Sequence, residues 1–428
     1  MYFWSLRKQQ LNKMIQPIEQ FNNRKANLVL ILLCAAYLID YADRMVIASL
    51  LPLIKLEWNL PDSQLGMLSS IVSFFIAIFV LPLSLLVDRW SRKKMLAIMV
   101  FLWSISTLFC AYAHNFNQLL IARAFTGIGE AAYAPAAVAI IAMMFPMNKR
   151  AKYTGIWNAF SPLDAAIGFI VGGAVGMHYG WRSAMGLMAM PGILLSVFFW
   201  FSYDYKTIPI ENNVIFSVKD NLKGLWRTTV GLFRIHTLWF VYLGYAMNMA
   251  INSAVLTWFP SYLVRYYAMN QKQAGNIAGL IAMLALIGAP LGGYITDRWR
   301  KKQINARMYV PSITSLFTAI FLIIALLCNN YYFAMTFFLL FGILSVGYLA
   351  PSTAAIQDVV HPGIRAVAFG LNVVIMNFAG AFWSPILIGS LSDKFGLNIA
   401  FFALPIFGLV AATLFFFGAK YYKLQLHK

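Results

Sequence analysis

Charged residues are scarce in this sequence, and their scarcity excludes most soluble folds. Only 11% of the 428 residues are charged, whereas 61% are hydrophobic. A soluble globular protein has about 25% charged and about 45–50% apolar residues, so this chain lacks the polar residues needed to cover a water-facing surface. A disordered chain is excluded as well, because disorder requires low hydrophobicity. The composition favours an integral membrane protein.

Cysteine is also rare, and enzyme motifs are missing. Cys34, Cys110 and Cys328 lie in apolar runs without CxxC or histidine spacing, so we interpret them as small core residues rather than metal ligands or disulfides. The sequence has no GxSxG, HExxH or glycine-rich phosphate-binding motif. We therefore expect neither an enzyme nor a protein with a cofactor or a metal.

Long apolar runs are abundant, and they fall into two sets of six. A membrane-spanning helix needs about 20 apolar residues. Twelve such spans are predicted, at residues 26–51, 64–87, 94–113, 118–145, 153–177, 183–202, 236–264, 273–296, 307–328, 331–357, 364–390 and 397–418. The longest interval between spans, 203–235, is predicted to be a cytoplasmic linker between an N-terminal bundle (26–202) and a C-terminal bundle (236–418).

Both ends of the chain are predicted to lie outside the membrane. Residues 1–25 are basic and form either an interfacial amphipathic helix or a partly ordered tail. Residues 419–428 form a second basic tail. The first apolar run is too long for the apolar region of a secretory signal peptide and has no small-x-small cleavage site, so we expect no cleaved leader.

The net charge of +19 is distributed over loops. If residues 1–25 are cytoplasmic and the spans alternate, 26 lysines and arginines lie in cytoplasmic segments and 5 on the opposite side. The positive-inside rule then places both termini in the cytoplasm. A nucleic-acid-binding surface would instead cluster its basic residues on one soluble face, so no nucleic-acid partner is expected.

The two bundles repeat each other. The sequence DRWSRKK at 88–94 follows span 2, and DRWRKK at 297–302 follows span 8. Prolines in spans 4 and 10 recur at an offset of 216 residues: Pro135 with Pro351, which should break the helices, and Pro146 with Pro362, which should end them. Such a repeat with interrupted helices indicates a transporter whose site lies between the two halves.

This arrangement resembles the major facilitator superfamily, whose loop motif reads roughly Gly-x-x-x-Asp-Arg-x-Gly-Arg-Lys. The second copy keeps Gly293 and Asp297, whereas the first has Ser84 and Ser91 at glycine positions. The resemblance covers nearly the whole chain. It implies an all-α membrane protein with twelve transmembrane helices in two pseudo-symmetric six-helix bundles, working by alternating access.

Within the superfamily, several short stretches are similar to Spinster-type transporters. They are YADR at 41–44, QLG at 64–66, RAFTGIGEA at 123–131, GWR at 180–182, WFP at 258–260 and QDVV at 357–360. The Asp-Arg and Arg-x3-Gly-x-Gly-Glu elements also occur in anion:cation symporters. The resemblance to Spinster proteins implies a lysophospholipid or sphingoid substrate. Arg44 and Arg123 suit a carboxylate or phosphate equally well, so a small organic anion, an amino acid or an iron-chelating carboxylate is the alternative.

Charged residues within the spans are concentrated in the first half. They are Asp40, Asp43, Arg44, Arg123, Glu130 and Asp164. A charged side chain in a membrane span costs about 2.5–3.5 kcal/mol on insertion scales, so these residues are functional candidates. Asp40 and Arg44 share one face of span 1, and Arg123 and Glu130 share one face of span 4. Asp40 and Asp164 could equally serve polar helix contacts.

An acid beside an arginine in a buried site suits proton coupling. Burial favours the neutral form of a carboxyl group and a nearby cation favours the charged form, so opening the cavity to the other side can reset the balance. We predict that Asp43, Glu130 and Asp40 couple transport to protons and that Arg44 and Arg123 bind an anionic substrate. The alternative is a static ion-pair cluster that holds span 1 to span 4.

The second half has no charged residue clearly within a span. We expect it to supply uncharged contacts to the substrate, from Asn252, Trp258 and Asn377. Each of these residues could instead make an ordinary interhelical hydrogen bond or face lipid.

The duplicated acidic loop predicts a gate on the cytoplasmic side. The resemblance implies that the Asp88 carboxylate caps the N-terminus of the helix in span 11, where the helix dipole carries partial positive charge. The candidate gating residues are Asp88, Arg89, Arg150, Asp297 and Arg298. The alternative is a solvated turn.

The sequence therefore predicts a proton-coupled secondary transporter for a small organic or amphipathic, anionic solute. We expect a monomer, surrounded by membrane lipid, in a bacterial inner membrane. The alternatives are a transporter of lysophospholipid or sphingoid lipids, an uncoupled facilitator and, less favoured, a non-transporting membrane receptor. Substrate identity and the direction of transport stay open at this point.

Overall fold

The computed structural model of the chain is built from α-helices, and no strand occurs among the residues it describes. These residues are 23–89, 91–145, 147–158, 160–202, 231–361 and 364–426. Most of the predicted N-terminal segment (1–25) and linker (203–235) lies outside the described residues, as do Pro146 and Pro362.

The first half contains six helices that match the first six predicted spans. Their bounds are Asn23–Trp58 (α1), Asp62–Arg89 (α2), Arg92–Ala111 (α3), Phe116–Ala131 with Tyr133–Met144 (α4), Met147–Asn158 with the part of Ser161–Phe201 before Gly180 (α5), and the part of Ser161–Phe201 after Gly180 (α6).

The second half repeats this order. Its helices are His236–Tyr266 (α7), Gln271–Met283 with Ala285–Arg300 (α8), Ala306–Leu327 (α9), Tyr331–Leu344 with Leu349–Val359 (α10), Arg365–Met376 with the π-helical turn Asn377–Ala381 and Trp383–Phe395 (α11), and Leu397–Phe401 with Leu404–Leu426 (α12).

The helix lengths agree with a multi-pass membrane protein. Among the described residues, ten helical stretches are long and apolar enough to cross a membrane. One of them, Lys152–Phe201, contains 50 residues and therefore holds both α5 and α6. α7 is 31 residues long and is not among these ten stretches; it carries polar residues such as Asn248 and Asn252. The predicted all-α membrane fold is confirmed.

Two glycines mark the same turn in each half. Gly180 lies between α5 and α6, and Gly396 lies between α11 and α12, 216 residues further on. Their φ angles are +80° and +83°, a region that residues with a Cβ atom rarely adopt. The offset is the one seen in the proline pairs, so the backbone itself carries the internal repeat.

The predicted helix interruptions also occur in both halves. α4 breaks at Ala132, just before Pro135, and α10 breaks between Leu344 and Leu349, just before Pro351. Proline has no backbone N–H and its ring crowds the preceding turn, so it disrupts the helix there.

Apolar contact between the halves is concentrated at one end of the molecule. We call the end with the basic loops the basic end and the opposite end the outer end. The largest buried apolar cluster contains residues of both halves near the outer end, such as Leu51 with Phe259 and Phe338. Two further clusters lie towards the basic end, and each is confined to one half. A small fourth cluster, with Val72 and Val80 of α2 against Val373 of α11, also joins the halves. The larger shared core lies at the outer end.

Candidate functional site

The charged residues predicted from the sequence form one cluster between α1, α4 and α5. Asp40, Asp43 and Glu130 are at most 4% exposed, and Asp164 is fully buried. α1 packs extensively against α5, which brings Asp164 to the charged face of α1. Because charged groups in a membrane interior persist only with partners or a functional role, the cluster is the leading candidate site.

Two ion pairs cross from α1 to α4. The Arg44 Nε atom of α1 contacts the Glu130 carboxylate of α4. In the opposite direction, Arg123 of α4 lies 4.0 Å from the Asp43 carboxylate of α1. Asp43 also accepts a hydrogen bond from the Thr107 hydroxyl of α3. Each helix thus supplies one arginine and one acid to a reciprocal pair of contacts.

The two arginines differ in their access to a solute. The Arg123 side chain is 1% exposed and donates hydrogen bonds to the backbone carbonyls of Leu68 and Asp43, each at 3.4 Å. The Arg44 side chain is 19% exposed, and its guanidinium carbon lies 5.1 Å from the centre of the Tyr41 ring. Arg44 is therefore the more accessible cation of the cluster, whereas Arg123 is buried against the backbones of α1 and α2.

Asp40 and Asp164 complete the cluster without an arginine of their own. Asp40 interacts electrostatically with Arg44, which already pairs with Glu130. The carboxyl groups of Asp40 and Asp164 are close enough to repel each other when both are charged. The structure thus brings Asp164 into the same site as the predicted coupling residues.

The second half contributes uncharged polar groups, and among its described residues no charged side chain is buried. Asn252 of α7 donates hydrogen bonds at 2.9 Å to the carbonyls of Asn248 and Ser345. Asn377 begins the π-helical turn of α11 and donates to the Val373 carbonyl at 3.0 Å. π-helical turns inside α-helices are frequent at functional sites, which draws attention to Asn377.

Trp258 has a packing role in this conformation. Its side chain is fully buried, and its indole N–H donates to the Pro385 carbonyl at 2.9 Å. This bond joins α7 to α11 within the second half. A fully buried side chain offers no surface to a solute in this conformation, and the contact between Trp258 and a substrate stays a prediction.

A polar network at the outer end joins the two halves, and the sequence analysis did not identify it. Asp62, the first residue of α2, accepts hydrogen bonds from Arg265 of α7 at 2.6 and 2.8 Å. It also accepts hydrogen bonds from Lys55 at 2.6 Å and from the Ser392 hydroxyl of α11 at 2.5 Å. Asp62 is 2% exposed, so its charge depends on these partners.

Asp393 strengthens the same junction by capping α2. Its carboxylate accepts hydrogen bonds from the backbone N–H groups of Asp62 and Ser63, at 2.6 and 2.9 Å. A carboxylate at a helix N-terminus satisfies free N–H groups and interacts favourably with the helix dipole. Asp393 of the second half therefore caps the N-terminus of α2 in the first half.

The predicted gating residues at the basic end form no contact between the halves among the side chains that the structure describes. The side chains of Asp88 and Arg89 lie outside that set. Arg150 donates to the nearby Phe145 carbonyl at 3.0 Å, Arg298 donates to the Tyr294 hydroxyl of its own helix at 3.1 Å, and Asp297 is exposed.

A separate charged cluster stabilises the basic end of the second half. The Asp358 carboxylate at the end of α10 contacts Arg307 of α9 and lies 3.3 Å from Arg300 of α8. It also accepts a hydrogen bond from the Tyr422 hydroxyl of α12. Four helices therefore meet at this carboxylate. In the sequence, Asp358 stands out only as part of the QDVV motif.

The chain matches a protein family and several curated relatives. A family model described as Major Facilitator Superfamily matches residues 33–384. A probable L-galactonate transporter of Escherichia coli (strain K12) is 28% identical over 396 residues, which cover 85% of this chain and 82% of the relative. Protein spinster homolog 1 of Xenopus laevis is 27% identical over 402 residues, which cover 87% of this chain and 74% of the relative.

A solved structure has the same fold. It is the crystal structure of a bacterial homologue of the human lysosomal transporter Spinster in an inward-facing and occupied conformation. The TM-score is 0.81 at 21% identity, and the match covers 94% of this chain and 98% of the other. The likeness extends over both halves and therefore includes the junction between them.

Proposed function

Because the chain belongs to the Major Facilitator Superfamily, we propose that it is a secondary transporter that carries a small organic anion and uses protons as the coupling ion. The observation that supports this most strongly is the Arg44–Glu130 pair. It places a partly exposed guanidinium in direct contact with a buried carboxylate, between the helices of the first half.

The pair lets an anion and a proton influence each other. A substrate carboxylate that binds Arg44 competes with Glu130 for the same guanidinium. Glu130 then loses its counter-charge in a buried position, and protonation removes the charge that has become unpaired. Arg44 and Glu130 thereby link substrate binding to proton binding in one place.

Asp43 and Asp40 extend this coupling along α1. Asp43 depends on Arg123 and on the Thr107 hydroxyl, so a shift of α4 against α1 changes its partners. Asp40 interacts electrostatically with Arg44, so its protonation depends on the charge of the Arg44–Glu130 pair. Asp43, Glu130 and Asp40 are therefore the proposed proton-binding residues.

Alternating access requires that the outer junction opens when the basic end closes. The outer gate consists of Asp62 with Arg265, Lys55 and Ser392, and it is closed in this structure. We assign the inner gate to Asp88, Arg89, Arg150, Asp297 and Arg298, which would meet across the halves once the basic end closes.

A sugar acid or a similar short hydroxy acid is the preferred substrate class. Its carboxylate suits Arg44, and its hydroxyl groups suit the amides of Asn252 and Asn377 on the opposite half. The similarity to a probable L-galactonate transporter supports this class. Arg123 serves as a structural partner of Asp43 and influences the substrate site through it.

A lysophospholipid or sphingoid lipid is the second candidate. The similarity to Spinster proteins supports it, and aromatic rings line the contact between α2 and α11. Phe74 of α2 packs against Phe378 and Phe382 of α11, with ring centres 6.3 and 4.9 Å apart. Such a wall would suit an acyl chain better than a sugar acid.

We further propose that the protein works as a monomer in an inner membrane with both termini in the cytoplasm. The distribution of basic residues over the loops supports this orientation. Each half supplies part of the site, so a single chain contains the complete transport path.

The deciding experiment is uptake into proteoliposomes with an imposed pH gradient, using sugar acids and lysophospholipids as parallel substrates. Saturable uptake of a sugar acid that stops when the gradient is collapsed would support the proposal. Uptake of the lysophospholipid alone would favour the second candidate. Uptake of a sugar acid at the same rate with and without the pH gradient would indicate an uncoupled facilitator.

A further inference from the structure

We propose that Asp40 and Asp164 form a second proton-binding site, in which the two carboxyl groups share one proton. The proposal rests on the proposed function in one respect, namely that Asp40 takes part in proton binding. What is new is the partner of Asp40 and the number of protons held by the pair.

Both carboxyl groups are buried, and each has one oxygen without a hydrogen-bond partner among the described residues. Asp40 is 4% exposed and Asp164 is fully buried. Among the described residues, Asp40 Oδ1 and Asp164 Oδ2 have no hydrogen-bond partner. The backbone N–H of Ala165 donates only to Oδ1 of Asp164. Each acid therefore keeps one buried oxygen that a proton between them would satisfy.

When all four of its acids are ionised, the cluster carries two more negative charges than positive ones. Arg44 contacts Glu130, and Arg123 lies beside Asp43, so both cations already have a carboxylate. Asp40 and Asp164 then remain as two further acids in a membrane interior, where even one uncompensated charge is costly. One shared proton leaves a single negative charge, which the adjacent Arg44 stabilises.

The groups around the pair favour this arrangement. Those that interact with it electrostatically are Tyr41, Asp43 and Arg44 on α1 and Glu130 and Tyr133 on α4. On α8, which packs against α5, the residue that lies against Ala166, two positions from Asp164, is the uncharged Gly279. Arg44 is thus the only cation among these groups, and it already contacts the Glu130 carboxylate.

Tyr41 connects the pair to the rest of the cluster. Its hydroxyl interacts electrostatically with Asp164 and Glu130 as well as with Arg44. Tyr41 is only partly buried, and the centre of its ring lies 5.1 Å from the guanidinium carbon of Arg44. A hydroxyl that both donates and accepts is suited to relay a proton between these acids.

Infrared spectroscopy can count the proton without any substrate. The full chain, reconstituted in liposomes at about pH 7, is compared with the Asp40→Asn/Asp164→Asn double variant in the band of protonated carboxyl groups. We expect the double variant to lose the absorbance of one carboxylic acid. A loss of two acids, or no loss, would overturn the shared proton.

Further variants keep the test independent of folding and of transport. Asp164→Asn alone should lose the same absorbance, because Asp40 then lies beside Arg44 without a second carboxylate to repel it. Retention of the band in this variant would contradict the proposal. Glu57→Gln changes an acid that is 41% exposed and belongs to neither the site nor the gates, and it should leave the band unaltered. Because the count needs no transport, its failure is distinguishable from a failure of proton-driven uptake.

Discussion

Arg265 donates hydrogen bonds to both carboxylate oxygens of Asp62, at 2.6 and 2.8 Å, although the two residues belong to different halves of the chain. A two-point contact of this kind fixes orientation as well as distance. It lies at the outer end, where the apolar core is also shared between the halves. The same contact must break whenever the outer end opens.

We predict that Asp62→Asn shifts the protein towards an outward-open state. The substitution removes the charge that holds Arg265 and Lys55, so the closed state should lose about 1.4 kcal/mol or more, about tenfold in population. Spin labels at the exposed positions Leu56→Cys and Ile399→Cys would report the opening as longer distances in pulsed electron resonance.

Glu57→Gln is the matched control for this experiment. Glu57 accepts hydrogen bonds from Arg182 and Trp181 at 2.6 Å, and all three residues belong to the first half. Its loss should leave the distance distribution unchanged. If Asp62→Asn also leaves it unchanged, the Asp62–Arg265 contact is not the outer gate.

Arg44→Lys should weaken substrate binding even though the positive charge is kept. Lysine has no planar fork and cannot contact a substrate carboxylate at two points while remaining near Glu130. We expect affinity to fall by about 10- to 100-fold, about 1.5–3 kcal/mol, measured by titration calorimetry with the identified anion. Arg182→Lys at the outer surface should bind normally, and equal affinities for both variants would argue against Arg44 as the anion site.

Trp258→Phe should lower stability without changing substrate recognition. The indole N–H bonds the Pro385 carbonyl in a fully buried position, so its removal should cost about 1–3 kcal/mol. The expected signs are a lower melting temperature and an unaltered KM. A raised KM at an unchanged melting temperature would restore Trp258 as a substrate contact.

Asp358→Asn should destabilise the second half at the basic end. It leaves Arg300 and Arg307 without their shared carboxylate, and we expect a loss of about 1–3 kcal/mol in the free energy of unfolding. Asp297→Asn, an exposed acid close by in sequence to Arg300, should change it by less than about 0.5 kcal/mol. Denaturant titration of both variants measures the difference, and equal effects would contradict this role for Asp358.

Much of the fold could be predicted because a membrane imposes simple length and charge rules. Twelve apolar runs gave twelve helices, and the 216-residue offset found in the prolines recurs in Gly180 and Gly396. The basic loops could also be located from the sequence. Their gating contacts stay a prediction, because such contacts depend on which end of the molecule is closed.

The clustering of the charged residues in the first half could be predicted from the sequence, but their pairings could not. Spacing along one helix placed Asp40 near Arg44, yet Arg44 contacts Glu130 on another helix. Only the packing of α1 on α4 decides such a contact. The outer gate escaped prediction for a related reason, since Asp62 lies 203 residues from Arg265 in the sequence. One signal could have indicated the contact: only five basic residues lie on the outer side, and Lys55 and Arg265 are two of them.

The central claim is that Glu130 couples anion movement to protons, and Glu130→Gln tests it most directly. In proteoliposomes, the wild type should accumulate the anion when a pH gradient is imposed and should also exchange labelled for unlabelled anion without a gradient. We predict that Glu130→Gln keeps the exchange and loses the accumulation, because glutamine cannot release a proton. Accumulation at the wild-type level in this variant would contradict the account.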